Sequence, residues 1–135
     1  MADEKVLNVS VVSAEKALWT GQAKSLVAKT PEGDIGILPN HEPVLALLVE
    51  SPLRLEELDG TRLAIAVHGG FFSVAGNEVN VIAEVAELAE DIDIERAQAA
   101  LARAQAAGGD DPDEVSAIRR AETRIQTASI AKAVR

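Results

Sequence analysis

Arg120 and Arg124 stand four residues apart, and in a helix that spacing puts both guanidinium groups on one face, able to hold two points of a polyphosphate. Arg96, near the start of a preceding helical segment, can complete the cluster if the two segments pack together. Between Glu114 and Arg135 there are five basic and two acidic residues, a local charge of +3, whereas Leu88 to Asp113 holds two basic and seven acidic ones. A plainer reading stays open beside this one: Arg119, Arg120, Arg124, Lys132 and Arg135 answer the acidic neighbouring segment and the negative end of their own helix. The remaining candidates carry less chemistry. Gly33-Asp34-Ile35-Gly36 and Gly69-Gly70 lack both the Lys-Ser/Thr and the spaced third glycine of a phosphate loop, and read as turns. His41-Glu42 is followed at once by Pro43, with no second histidine four residues on, so it is not a metal-binding helix. His68 ends a predicted strand and reads as a packed or solvated residue. Asp110, Asp111 and Asp113 lack the glycine and the distant bidentate glutamate of a calcium loop, which leaves helix capping. No Gly-x-Ser-x-Gly elbow accompanies the serines, so the sequence offers neither a catalytic set nor a metal-ligand set.

The elements that must position these residues fall into two units, with the seam around Glu87 to Asp91. Before it lie seven of the nine glycines and four of the five prolines, punctuating short runs of Val, Ile and Leu; beyond it, alanine takes 13 of 47 positions. Leu7, Val9 and Val11 alternate with Asn8 and Ser10 at the period of a half-buried strand. Leu53 to Leu55 and Leu63 to Val67 flank Asp59-Gly60, and Phe71 to Val74 and Val79 to Val85 flank Gly76-Asn77, which predicts two hairpins. Strands this short, with turns this frequent, indicate a β-sandwich or barrel. In the second unit Asp91 or Asp93 caps a helix that Gly108-Gly109 ends. Asp111-Pro112-Asp113-Glu114 then starts another helix, predicted to run almost to Arg135. Ile94, Ala97, Leu101 and Ala104 form a narrow stripe on the first, and Ile118, Ala121, Ile125 and Ala128 on the second, so the pair predicts an antiparallel hairpin. Its alanines bury little surface, which predicts a weakly held, movable unit.

Composition bounds the rest. The 135 residues suffice for one ordinary domain or two small coupled units, and 47% hydrophobic content supports a folded core. A net charge of −9 disfavours nucleic acid, and three aromatic residues make no stacking platform. The absence of cysteine excludes disulfides, thiolate metal sites and thiol nucleophiles. No apolar run approaches a membrane span, and the polar start is unlike a secretory signal, so a cytosol-facing protein is expected.

Gly33-Asp34-Ile35-Gly36-Ile37-Leu38-Pro39-Asn40-His41-Glu42-Pro43-Val44-Leu45 closely resembles the acidic-G-x-L-P-x-H-x-P-L/V-L loop of the epsilon subunit of F-type ATP synthases. Val11 to Glu15, Gly69-Gly70-Phe71, Val79 to Ala83 and Ile92-Asp93-Ile94-Glu95-Arg96-Ala97 resemble the family's other landmarks, in the same order. The resemblance implies an all-β sandwich at residues 1–87, bound to the gamma subunit and to the polar loops of the c-ring, and a regulatory C-terminal antiparallel two-helix hairpin at residues 88–135. It also implies a non-catalytic central-stalk subunit, peripheral on the cytoplasmic face of the membrane, with Asp34 and His41 facing the c-ring. The Ile92 to Ala97 segment matches an ATP-binding motif of some bacterial members, which assigns ATP contacts to Asp93 and Arg96 and, from the second helix, to Arg120 and Arg124. ATP enters as a regulatory ligand, not as a required cofactor. When it leaves, the hairpin is implied to extend its basic helix toward the beta and alpha subunits of the catalytic head and limit hydrolysis. A free-standing nucleotide sensor is the alternative from another class.

Overall fold

The computed structural model describes residues 6–108 and 111–133. Gly109 and Asp110 of the inter-helix turn, the side chain of Lys132, and Arg135 lie outside what is described. Among the described residues nine strands run in the order β1 (Leu7–Ser13), β2 (Ala17–Thr30), β3 (Gly33–Ile37), β4 (Val44–Leu48), β5 (Ser51–Glu57), β6 (Arg62–Val67), β7 (Gly70–Ala75), β8 (Glu78–Ala83) and β9 (Ala86–Leu88). A 3₁₀ turn (Ala89–Asp91) and two helices, α1 (Ile94–Ala106) and α2 (Pro112–Ala133), follow.

The fold is a β-sandwich followed by a helical hairpin. Neighbouring strands pair in the order β4-β7-β8-β1-β2-β5-β6-β9, with β3 also on β2. The ladders are antiparallel except for β1 with β8. β2 is 14 residues long and serves both layers: Ala17 to Ala23 pair with β1, and the stretch beyond pairs with β3 on one side and β5 on the other. A register shift between Ala23 and Ser25 marks where it passes from one layer to the other.

Both expected hairpins form. Gly76 and Asn77 have φ of 58° and 67°, the two positive values of a type I′ turn, whose twist matches the β7 and β8 strands it joins. β8 ends at Ala83, two residues short of the predicted run. Gly70 has φ of 125°, and a Cβ there would collide with the Ile82 carbonyl oxygen and lie 2.7 Å from the Ala83 Cα, so only glycine fits.

Phe72, Leu7, Leu26, Ile37, Leu53 and Ile65 are fully buried at the centre of a core to which only strands contribute. The hairpin lies outside that core. β6 is buried on both faces: Ile65 and Val67 point into the sandwich, while Ala64 and Ala66 lie outside its cluster and are covered by α2.

α1 starts where Asp93 Oδ1 accepts from the Arg96 backbone N–H at 3.0 Å, so Asp93, not Asp91, is its cap. It ends at Ala106, with Ala107 as its C-cap and Gly108 at φ of 107° beyond. Asp111 Oδ1 accepts from the Asp113 N–H at 2.9 Å ahead of α2. Ala97 and Ala104 on α1, and Ala121 and Ala128 on α2, are buried between the helices, as their spacing predicts. Thr123 and Thr127 are also buried, and the Thr127 hydroxyl is satisfied by donating to the Thr123 carbonyl at 2.7 Å.

Candidate functional site

The 3₁₀ turn, the first turns of α1 and the middle of α2 enclose a cavity of about 370 Å³ lined by Glu87, Asp91, Asp93, Arg96, Ala97, Ala100, Arg103 and Arg124. Each comes from a feature of the chain already described. Asp93 sits here because it caps α1. Arg96, Ala100 and Arg103 recur at spacings of four and three, and so line the same side of that helix. Arg124 enters from α2, and Glu87 from the edge strand β9. The alanines leave open space between three guanidinium groups and three carboxylates, an arrangement suited to an anion carrying a neutral, hydrogen-bonding body. Of the residues expected to contact ATP, the fold brings Asp93, Arg96 and Arg124 together. Arg120 is exposed on α2 and does not line the cavity. Sequence reasoning missed Arg103, Asp91 and Glu87, although the three- and four-residue spacing from Arg96 was a usable signal for Arg103.

Arg124 is engaged across the seam between hairpin and sandwich. Its Nε donates to Glu87 Oε1 at 2.7 Å. The same oxygen lies 3.0 Å from His68 Nε2, and His68 Nδ1 lies 2.6 Å from Glu50 Oε2. Burial alone would raise the Glu87 carboxyl, but hydrogen bonds and charge from Arg124 and His68 outweigh it and hold the group below the ordinary glutamate range. His68, expected to be packed or solvated, is 8% exposed and packed, but between two acids.

Asp34 and His41 lie toward opposite ends of β3. Asp34 is exposed next to the β2–β3 turn, with an Arg54 guanidinium nitrogen 3.6 Å from its carboxylate. His41 follows a turn closed by its own N–H to the Leu38 carbonyl at 3.1 Å. Its Nδ1 is 2.7 Å from the Glu42 carbonyl, which can only accept, so Nδ1 carries hydrogen and Nε2 is left for an outside partner. The loop is pinned to the β7–β8 turn by the Asn40 N–H, which donates to Asn77 Oδ1 at 2.6 Å.

A third feature is absent from the sequence reading. On the outer face of the other layer, Leu47, Phe71 and Ile82 stand directly opposite one another across β4, β7 and β8, with Val12 next on β1 and Leu45 beside them. Leu45, Leu47, Phe71 and Ile82 are all exposed, an unusual alignment for a sheet facing water. The unbroken apolar run Val44 to Val49 was the available signal, since a strand without polar alternation is covered on both faces.

Among the described residues no helix is long and apolar enough to cross a membrane, and no group of three or more acidic or histidine side chains is placed to hold a metal ion.

Residues 6–89 match the family described as the beta-sandwich domain of the ATP synthase delta/epsilon chain. The ATP synthase epsilon chain of Streptomyces avermitilis is 42% identical over 91% of this chain and 95% of its own length. That of Rhodococcus jostii is 46% identical over 82% and 88%, and that of Thermobifida fusca 44% over 98% and 99%. Among solved structures, a chain of the Euglena gracilis mitochondrial ATP synthase superposes with a TM-score of 0.72 at 24% identity, over 96% of this chain and 81% of its own. A chain of the Tetrahymena thermophila mitochondrial ATP synthase superposes with a TM-score of 0.54 at 18% identity, over 93% and 95%. With a family match across the whole sandwich and relatives above 40% identity along most of its length, this chain belongs to the epsilon chains of the ATP synthases.

Proposed function

We propose that this chain is a non-catalytic rotor component of a proton-translocating F-type ATP synthase, held peripherally at the cytoplasmic face of the cell membrane. In this reading the sandwich joins the gamma subunit to the c-ring, and the hairpin is a brake on ATP hydrolysis biased by ATP. The observation that carries it is the arginine-lined cavity in the seam of a hairpin whose described residues stay out of the sandwich's core cluster. ATP in that cavity holds the hairpin down: Arg96, Arg103 and Arg124 neutralise phosphates, and Asp93 accepts from the adenine amine. Arg124 turns part of its donor set from Glu87 to a phosphate. Without nucleotide the hairpin lifts and α2 extends, and its exposed Arg119 and Arg120 pair with acidic segments of the beta and alpha subunits.

The row Leu47, Phe71 and Ile82 is the gamma-binding surface, because an aligned apolar face of this kind needs a permanent cover. Asp34 and the free Nε2 of His41 bond to polar loops of the c-ring at two separate points of contact.

Titrating ATP into the whole purified chain tests the nucleotide site. Heat and an upward thermal shift at millimolar ATP are expected, both reduced in Arg96→Ala and Arg103→Ala and unchanged in Arg120→Ala. No heat and no shift, or an undiminished response in the first two variants, overturns the site. For the rotor role, truncation after Glu90 should leave assembly and synthesis intact and raise ATP hydrolysis. Failure to assemble would put the essential contacts in the hairpin. A chain indifferent to gamma would support the free-standing sensor.

A further inference from the structure

Another cavity, of about 320 Å³, opens farther along the seam, between the outer face of β2, β5 and β6 and the last turn of α2. It shares no lining residue with the arginine-lined cavity, and its Ile130 stands about 9 Å beyond Arg124 along the helix axis. The strand register sets its polar groups in one row: Arg62 of β6 is directly opposite Glu56 of β5, and Glu56 directly opposite Ser25 of β2. The next row on that face is Ala64, Arg54 and Val27. Val27, the methylene stem of Arg54 and, from α2, Ile130 make an apolar slot beside the polar row. The Arg54 guanidinium itself is 3.6 Å from the Asp34 carboxylate of β3.

Arg62 and Glu56 are the informative pair. Opposite charges facing each other across an antiparallel ladder stabilise it when they close on one another. Among the described residues, however, neither the Arg62 nor the Glu56 side chain has a hydrogen-bond or ion-pair partner. A cation and an anion held apart beside an apolar slot match a small ligand that carries both charges on one carbon. We propose that this cavity binds a free α-amino acid with an aliphatic side chain. Arg62 donates to its carboxylate, Glu56 and the Ser25 hydroxyl accept from its ammonium, and its side chain lies in the slot against Val27 and Ile130. A simple carboxylic acid would set a second anion beside Glu56, and a simple amine a second cation beside Arg62, so the charge pattern selects the zwitterion. The volume, at the lower end for small-molecule sites, suits a ligand of this size. With one wall on the hairpin and the others on the sandwich, a bound amino acid favours the docked hairpin. The site stands independently of the nucleotide reading.

The test is a titration of the whole chain with L-leucine, followed by amide NMR with neither nucleotide nor gamma present, so it can fail while nucleotide binding stands. Saturating shifts at Ser25, Val27, Glu56, Arg62 and Ile130 are expected at millimolar leucine. Leucinamide, which lacks the carboxylate, and 4-methylpentanoate, which lacks the ammonium, are each expected to bind at least about tenfold more weakly. Arg62→Gln should weaken leucine by a similar factor and leave leucinamide unchanged, a distinction that a merely structural role for Arg62 would not produce. Ile130→Ser should also weaken leucine, and equal binding there overturns the bridge between hairpin and sandwich. No saturation by about 50 mM leucine, equal binding of the two analogues, or shifts centred on Leu47, Phe71 and Ile82 instead overturns the site. Should Arg62→Gln misfold, the analogue series on the unmodified chain decides alone.

Discussion

Glu87 bears on both docking and ligand binding, because one of its oxygens accepts from Arg124 and lies within bonding distance of His68. Its carboxyl is held below the ordinary glutamate value of about 4.3, so its contribution to docking is complete above that value and is lost as pH falls through the lower one. Docking of the hairpin, followed by solution scattering, should therefore persist through mildly acidic solution and be lost only below the ordinary glutamate range, and Glu87→Gln should remove that acid dependence. Gly70 allows a test on the other side of the sandwich. Its positive φ and the crowding of its missing Cβ against β8 predict that Gly70→Ala costs about 2 kcal/mol or more, read as a melting temperature lowered by roughly 5–10 °C. Neither residue revealed its role in the sequence. Glu50 and Glu87 lie 18 and 19 positions from His68, and only the strand register brings the three together. Asp93 and Arg96 were legible because capping and helical spacing are local properties, whereas the exclusion of Arg120 from the cavity depends on how far α2 is rotated against the sandwich.

α2 presents two sides of different character. The side toward α1 follows the alanine stripe that the sequence displays. The side toward β5 and β6 carries the buried Thr123 and Thr127, the strand face beneath the helix offers Ala64 and Ala66, and farther along Ile130 lies near Leu55 and Leu63. Threonine and alanine bury few methylenes, so this part of the seam contributes little apolar area per residue. Ala66→Leu should pry the helix off, at a cost of about 1–3 kcal/mol for an overpacked contact, while the strand core keeps its melting transition; solution scattering would report the open hairpin as a larger radius of gyration. The threonine side was hidden because a buried hydroxyl bonded to its own helix resembles a surface residue in one dimension. β2 was hidden for a related reason. Gly21, Gln22 and Lys24 interrupt its apolar alternation, and its two halves face different layers, so no single period runs its length.

At the scale of the molecule, the division into a sandwich and a hairpin is visible in the change from glycine, proline and branched residues to alanine. The exposed row on β4, β7 and β8 is less visible, although it decides what surrounds the protein. Phe71→Asp should leave the melting temperature nearly unchanged, since the ring points outward, and, with the row as the proposed gamma surface, weaken capture of gamma by roughly 30-fold or more, as for a hot-spot contact of at least 2 kcal/mol. Loss of folding in that variant would show instead that the face is an interior one. β2, crossing from one layer into the other, has a mechanical consequence for the rotor role proposed above. A pull along its axis meets rungs perpendicular to the pull, on β1 at one end and on β3 and β5 at the other, so they share the force and yield together rather than peeling one at a time. A twist imposed on one layer reaches the other through this shared strand without a turn in between, whereas the links at Val49–Glu50, His68–Gly69 and Glu84–Val85 carry it only around short corners.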